Sequence, residues 1–315
     1  ARPIVSLVDT SHRDLTRGAY QALKLIDFDF SRRMKKVAIK PNLCYYWTPT
    51  AGETTDPKLV EGVIDVLRRH NVSDEICIVE SDATAMKMKY AVRMLGYEDL
   101  ARKVHVQLIN LSEDEQLPVH SDDPVLSRLK IPKTLSEVDF LISMPKLKIH
   151  PLTKLTCALK NQFGCIPMER KIVFHNDIDK VIAFVNKVIP PDLILVDGIV
   201  SLGKTPRKLD LIMAGYDPVA VDSTVAKIAG LNPRRIGHIV QSERLGLGCR
   251  DARLVGEEIS RYAKAFPRRG LVHSVSRKAL VDLYGVYVSL FTAEGRILKW
   301  RPTWTTQEAG SNTVE

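Results

Sequence analysis

Six short apolar runs, PIVSLVD (3–9), KVAIKP (36–41), EICIVES (75–81), HVQLINL (105–111), VDFLISM (138–144) and DLILVDG (192–198), recur along the chain. Between them lie segments whose apolar residues repeat with helical spacing, among them DLTRGAYQALKLI (14–26), DPKLVEGVIDVLRRH (56–70) and DPVAVDSTVAKIAGL (217–231). Short runs rich in β-branched residues are strands, and the longer periodic segments are helices. Their alternation predicts an α/β fold with a mostly parallel sheet and helices on both faces. Runs 138–144 and 192–197 are apolar at consecutive positions, as in strands covered on both sides, so they are expected at the centre of the sheet. Asp56-Pro57 and Asp217-Pro218 each place a capping residue before a proline, which marks a helix start. The stretch 118–136 breaks the rhythm and is expected to form a small antiparallel excursion.

After about residue 256 the pattern changes. Residues 1–255 are expected to form the main α/β domain, and 256–315 a helical extension with an amphipathic segment near 276–292 and a mobile polar tail. A chain of 315 residues buries roughly 75% of its unfolded surface, so no staple is required. A content of 45% hydrophobic and 26% charged residues excludes a disordered or membrane-embedded chain, and no apolar run approaches the roughly 20 residues of a membrane helix. The first residues lack the long apolar core of a signal peptide, which points to the cytoplasm. Five scattered cysteines argue against a disulfide framework or a zinc ribbon. A net charge of +9 favours acidic partners. Its even spread, without an aromatic RNA motif or a finger, argues against nucleic acid as a partner and makes a small anionic ligand the expected one. The oligomeric state stays open.

Chemistry concentrates in SMPKLKIHPLTKLTCALKNQFGCIP, 143–167. If 138–150 is a strand running out into its loop, alternation puts Lys146, Lys148 and His150 on one side at its carboxyl end, where open α/β sheets bind ligands. A helix over the following residues would put Thr153, Thr156 or Cys157, and Lys160 on one face, converging on the same pocket. A second stretch repeats the theme, with Lys40 at a strand end and Thr54, Thr55 and Asp56 at a helix start, suited either to an anion or to capping. Glu80, Asp82 and Asp197 stand at strand ends as general bases, metal ligands or caps. His175 follows in a loop. There is no Walker lysine motif and no Gly-x-Gly-x-x-Gly before a helix.

Together, KPNLC, TTDPKLVEGVIDVL, PKLKIHPLTKLTCALKNQFG, VDGIV and AGYDPVAVD resemble the domain of unknown function 362 family, over roughly residues 35–240. That resemblance implies a fold and a site but no reaction. Some relatives look fused to ferredoxin-type modules; this chain lacks their clustered cysteines, so an iron–sulfur cluster would need Cys44, Cys157 and Cys165 from separate segments. A remoter resemblance to lactate racemase rests on His150 ten positions before Lys160 and His175 fifteen beyond it. It implies Lys160 as a cofactor tether and His175 as a metal ligand. The racemase's glycine-rich intervening stretch is replaced here by PLTKLTCAL, and its second catalytic histidine by Ser81-Asp82, so a second base is missing.

These readings combine into an intracellular enzyme acting on a small carboxylate or phosphorylated metabolite. Lys146 and Lys148, with Lys40, Thr54, Thr55, Thr153 and Thr156, would hold the anion. His150, Lys160 and Asp82 would carry the chemistry, and a metal or redox cofactor stays open. The alternative is a non-catalytic protein that binds and delivers a cofactor or metal.

Overall fold

The structure is a computed structural model and describes residues 2–268; the expected amphipathic segment near 276–292 and the polar tail lie outside the described residues. The chain opens with β1 (Ile4–Asp9), α1 (Leu15–Leu25), β2 (Lys36–Pro41), α2 (Pro57–Arg69) and β3 (Glu75–Glu80). Helices α3 (Met88–Met94) and α4 (Tyr97–Lys103) lead to β4 (Gln107–Asn110). A two-stranded antiparallel ribbon, β5 (Gln116–Pro118) and β6 (Lys130–Pro132), forms the expected excursion and ends in α5 (Lys133–Glu137). Next come β7 (Phe140–Met144), β8 (Lys146–His150), β9 (Lys154–Thr156), α6 (Ala158–Gln162) and α7 (Ile178–Val188). The remainder is β10 (Leu193–Leu202), β11 (Pro206–Gly215), α8 (Pro218–Ile228), α9 (Gly237–Arg244), β12 (Arg253–Gly256) and α10 (Ile259–Ala265).

The main sheet runs β12-β1-β11-β10-β7-β2-β3-β4, with β8 pairing β10 and β9. Both expected central strands, β7 and β10, sit at its middle. Most pairings are parallel; β11 is antiparallel to both neighbours because it returns from β10 in a tight hairpin. Alternation divides each strand between two cores. In β2, Val37 and Ile39 pack with α1 and α2, whereas Ala38 faces the opposite side beside Cys77, Val79 and Leu141. In β10, Leu193 and Leu195 face the first core, Ile194 and Val196 the core shared with α7 and α8. Fully burying one such side chain contributes about 1.5–3 kcal/mol, so a one-residue slip in either strand would be opposed at every position. Asp56 and Asp217 cap α2 and α8 by accepting the amides of Lys58 and Ala220 at 2.9 and 2.8 Å. No helix among the described residues is long and apolar enough to cross a membrane.

Candidate functional site

The carboxyl ends of β2, β3, β7 and β10 bring together the lysine-rich stretches. Lys40 leaves β2 and points toward β3, where its ammonium sits 2.9 Å from Glu80 Oε2 and also donates to the Pro41 carbonyl at 3.0 Å. Asn161 of α6 locks this pair by donating to the Lys40 carbonyl at 3.1 Å and to Ser143 Oγ at 2.9 Å. Gly164 closes over it. A Cβ at that position would lie 2.7 Å from Lys40 Nζ, so the chain can pass only as glycine unless the lysine moves.

Pro145 separates β7 from β8, and β8 then pairs with β10, placing Lys146 opposite Asp197. Their side chains are both buried and 2.8 Å apart. The Asp197 carboxylate also accepts the amides of Asp56 at 2.7 Å and Ile199 at 3.0 Å. Lys148 donates to Glu53 Oε2 and to the Glu53 carbonyl, each at 2.9 Å. Burial alone would lower the Lys148 pKa, but Cys44 and Glu53 outweigh it and raise it.

Lys40, Lys146 and Lys148, expected to hold an anion, are thus paired within the protein. All three are buried, and each already has its own carboxylate. The start of α2 is likewise filled from within, since Asp197 and the Asp56 cap take the amides there. Thr55 accepts the Asn42 amide at 2.9 Å and donates to the Met144 carbonyl at 2.7 Å, while Thr54 accepts the Cys44 amide at 3.3 Å. Both hydroxyls therefore bind the loop to the strand ends.

The expected helix over 153–160 is corrected. Residues 154–156 form β9, antiparallel to β8, and α6 begins only at Ala158. Thr153 donates to the Leu155 carbonyl at 2.9 Å, and the Thr156 hydroxyl is buried without a hydrogen bond. His150 Nδ1 accepts the amides of Leu152 and Thr153, both at 3.2 Å, so this nitrogen holds the β8–β9 turn. His175 is exposed on the 3-10 segment Lys171–Asp177.

Lys160 differs from the other lysines of this stretch. It retains partial exposure, and its ammonium lies 5.7 Å from the centre of the Phe163 ring. No ion pair or hydrogen bond joins that ammonium to another described residue. Enclosure by protein, with Lys148 and Lys40 nearby and only Cys44 opposing them, pushes its pKa down to about 8. Lys171, which the sequence did not single out, donates to Ser81 Oγ at 2.7 Å and to the Asp82 carbonyl. Burial, together with Lys40, offsets the pull of Glu80 and Asp82 and holds it at about 8 as well. Ser81 in turn donates to the Gly164 carbonyl. Asp82 accepts the Met88 amide at 2.8 Å at the start of α3 and lies 3.1 Å from the Lys87 ammonium. It is at once a cap and an ion-pair partner.

Behind α6, Asp222 accepts the amides of Ala158 at 2.7 Å and Leu159 at 3.2 Å. His238 is fully buried between Asp222, 3.7 Å away, and Asp179, 3.4 Å away. Asp222 did have a legible signal: an acidic residue inside PVAVDSTVAKI, a helix buried on nearly every side, must have polar partners. His238 and Lys171 had none.

Residues 37–227 match the family described as Domain of unknown function (DUF362), a span that includes every lysine pair above. The chain belongs to the DUF362 family. Among curated proteins it is 26% identical over 232 residues to a thylakoid-associated protein of Synechocystis, covering 70% of each chain. Similar solved structures include the lactate racemase apoprotein of Thermoanaerobacterium thermosaccharolyticum, at 14% identity and a TM-score of 0.39, covering 77% of this chain and 56% of that one. A Thermotoga maritima protein follows at 13% and 0.37, covering 74% and 59%. This chain therefore spans little more than half the length of those two structures.

The described residues offer no group of three protein ligands for a metal or cluster. Among the described residues no three of His, Cys, Asp and Glu gather around a common point, neither around Cys44, Cys157 and Cys165 nor around His175. Cys157 and Cys165 are fully buried; burial raises both thiols, Cys165 to about 12, and raises Cys44 too. A thiol so disposed is a poor source of the thiolate that metal binding requires.

Proposed function

We propose that this DUF362 chain is an enzyme acting on a small carboxylate or phosphorylated metabolite, with Lys160 as the group that meets the substrate. One observation carries the reading: Lys40, Lys146 and Lys148 each have a carboxylate partner, and Lys160 has none among the described residues. An arriving anion would complete the pattern. With a pKa of about 8, about a tenth of Lys160 is free amine at pH 7, so it can bind as a cation and exchange a proton as a base. His150 is held in a turn and has a structural role in this reading. Five thiols without a disulfide support a reducing compartment, in keeping with a cytoplasmic enzyme.

Calorimetric titration with inorganic phosphate and short 2-hydroxycarboxylates tests the assignment. Lys160→Met should weaken binding about tenfold or more, the loss of one charge-assisted hydrogen bond, without lowering the unfolding midpoint. Lys160→Arg should keep the affinity but lose proton exchange, read as deuterium uptake into the bound carboxylate by NMR. Affinity within twofold of the wild type in Lys160→Met would refute the proposal.

A further inference from the structure

A cavity of about 500 Å³ opens beyond the carboxyl ends of β3 and β4, roofed by the β5–β6 ribbon. Its lining has two unlike walls. Arg128 and Lys130 come from the ribbon side, and neither forms an ion pair with a described residue. The Arg128 side chain is exposed, with its guanidinium 5.9 Å from the centre of the Phe174 ring. On the strand side stand Asp82 and Glu113. Lys87 lies between the walls but is already matched by Asp82 and Glu169, at 3.1 and 2.9 Å. Glu113 is oriented by the Asn110 amide at 2.9 Å.

We infer that this cavity binds a phosphate monoester of a polyhydroxylated metabolite, with the phosphate on Arg128 and Lys130 and the hydroxyls toward Asp82 and Glu113. Charge and size both lead there. Two cations unmatched among the described residues suit a dianionic group, and a phosphate monoester carries about −1.5 to −2 at neutral pH, where a carboxylate carries one charge. The guanidinium fork suits two phosphate oxygens at once. Fixed carboxylates on the far wall are acceptors, so they select a body that donates, as sugar hydroxyls do. Pockets of about 300–1,000 Å³ take ligands well above the size of a three-carbon acid. The place also agrees with the rule that open α/β sheets bind ligands outside the carboxyl ends of their strands.

The inference stands whether or not Lys160 performs catalysis, and calorimetry at fixed ionic strength separates the two. The probes are ribose 5-phosphate, ribose, inorganic phosphate and succinate. Wild-type protein should bind ribose 5-phosphate at least about tenfold more tightly than the other three. The double variant Arg128→Ala/Lys130→Ala should lose about a hundredfold in affinity for it, and each single variant about tenfold. A control, Lys24→Ala/Arg207→Ala, changes two exposed charges elsewhere and should bind as the wild type does. The cavity assignment fails if ribose 5-phosphate does not bind, if succinate or inorganic phosphate binds as tightly, or if the double variant stays within threefold of the wild type. Loss of binding in Lys160→Met with none in the double variant would overturn the cavity and leave the Lys160 reading intact.

Discussion

Replacing Lys146 with methionine should cost far more stability than replacing Lys160. The Lys146–Asp197 pair is fully enclosed, with side chains 1% and 0% exposed and 2.8 Å between the charges. Lys146→Met leaves the Asp197 carboxylate buried with only two backbone amides as partners, those of Asp56 and Ile199. Removing one member of such a pair strands the other charge in a poorly solvating interior, which typically costs about 3–5 kcal/mol. The location magnifies the effect, because Asp197 joins β10, β8 and the start of α2. Lys160→Met removes a cation that burial and two neighbouring lysines already disfavour, so stability should be unchanged or improved. Urea unfolding followed by circular dichroism at pH 7 reads both variants. The double variant Lys146→Met/Asp197→Asn should be more stable than Lys146→Met, since it carries no uncompensated charge and asparagine still accepts hydrogen bonds. A loss below about 1 kcal/mol in Lys146→Met would show that solvent reaches the pair and would refute the burial argument.

Other outcomes follow from the same geometry. Amine acylation, mapped by mass spectrometry across pH, should give Lys160 a midpoint near 8 instead of the ordinary 10.5, whereas Lys171, equally lowered but only 6% exposed, should label slowly; a Lys160 midpoint above 10 would contradict its placement. Gly164→Ala would force a methyl against Lys40 Nζ, 2.7 Å away, and should destabilise by about 1–3 kcal/mol, which thermal unfolding measures; a neutral result would mean that Lys40 can leave Glu80 freely. For His238, burial would lower the pKa, but Asp179 and Asp222 outweigh it and raise it above 6.5. Its stabilisation is therefore complete below pH 6.5 and fades as pH rises through the raised value. The stability difference between wild type and His238→Gln should shrink from pH 6 to pH 9, and a difference that grows would refute the sign.

The strands were legible because their apolar runs match strand length, and β7 and β10 could be placed centrally because 140–142 and 193–196 are apolar at consecutive positions, on both faces. The helix starts at Asp56 and Asp217 were legible because capping is a local interaction. What failed was also local in origin. Thr153, Thr156 and Lys160 have helical spacing, but Pro151 and the positive φ of Lys154 belong to a turn, and pairing with β8 draws Lys154–Thr156 into a strand. Three-residue spacing could not register that competition, since the favourable partner lies in the preceding strand. The pairing of Lys40, Lys146 and Lys148 was illegible for a related reason. Their carboxylates, Glu80, Asp197 and Glu53, come from other segments of the chain, so the sequence displays the cations together and hides the anions that neutralise them.

This pairing is what gives Lys160 its significance. A cluster of lysines with no acidic partners would have to be solvated, and would bind anions weakly and without selectivity, as a charged surface does. Here the paired lysines build walls that are charged yet nearly neutral in sum, and their desolvation is offset by contacts within the protein. The field at Lys160 is then set by the small imbalance those pairs leave, with Lys148 and Lys40 both pressing its pKa downward. Asp222 takes two of the first amides of α6, the helix that carries Lys160, and His238 lies behind that carboxylate. The ammonium therefore projects from a short helix anchored at its start. If Lys160 binds an anion as proposed, such an arrangement lowers the reorganisation required, because the cation is already held and no partner among the described residues must be displaced. Exchanging the pairs, for example by Glu53→Gln, would leave Lys148 unmatched beside Lys160 and should press the Lys160 pKa lower still. A Lys160 labelling midpoint unmoved in Glu53→Gln would mean that Lys148 does not act on it.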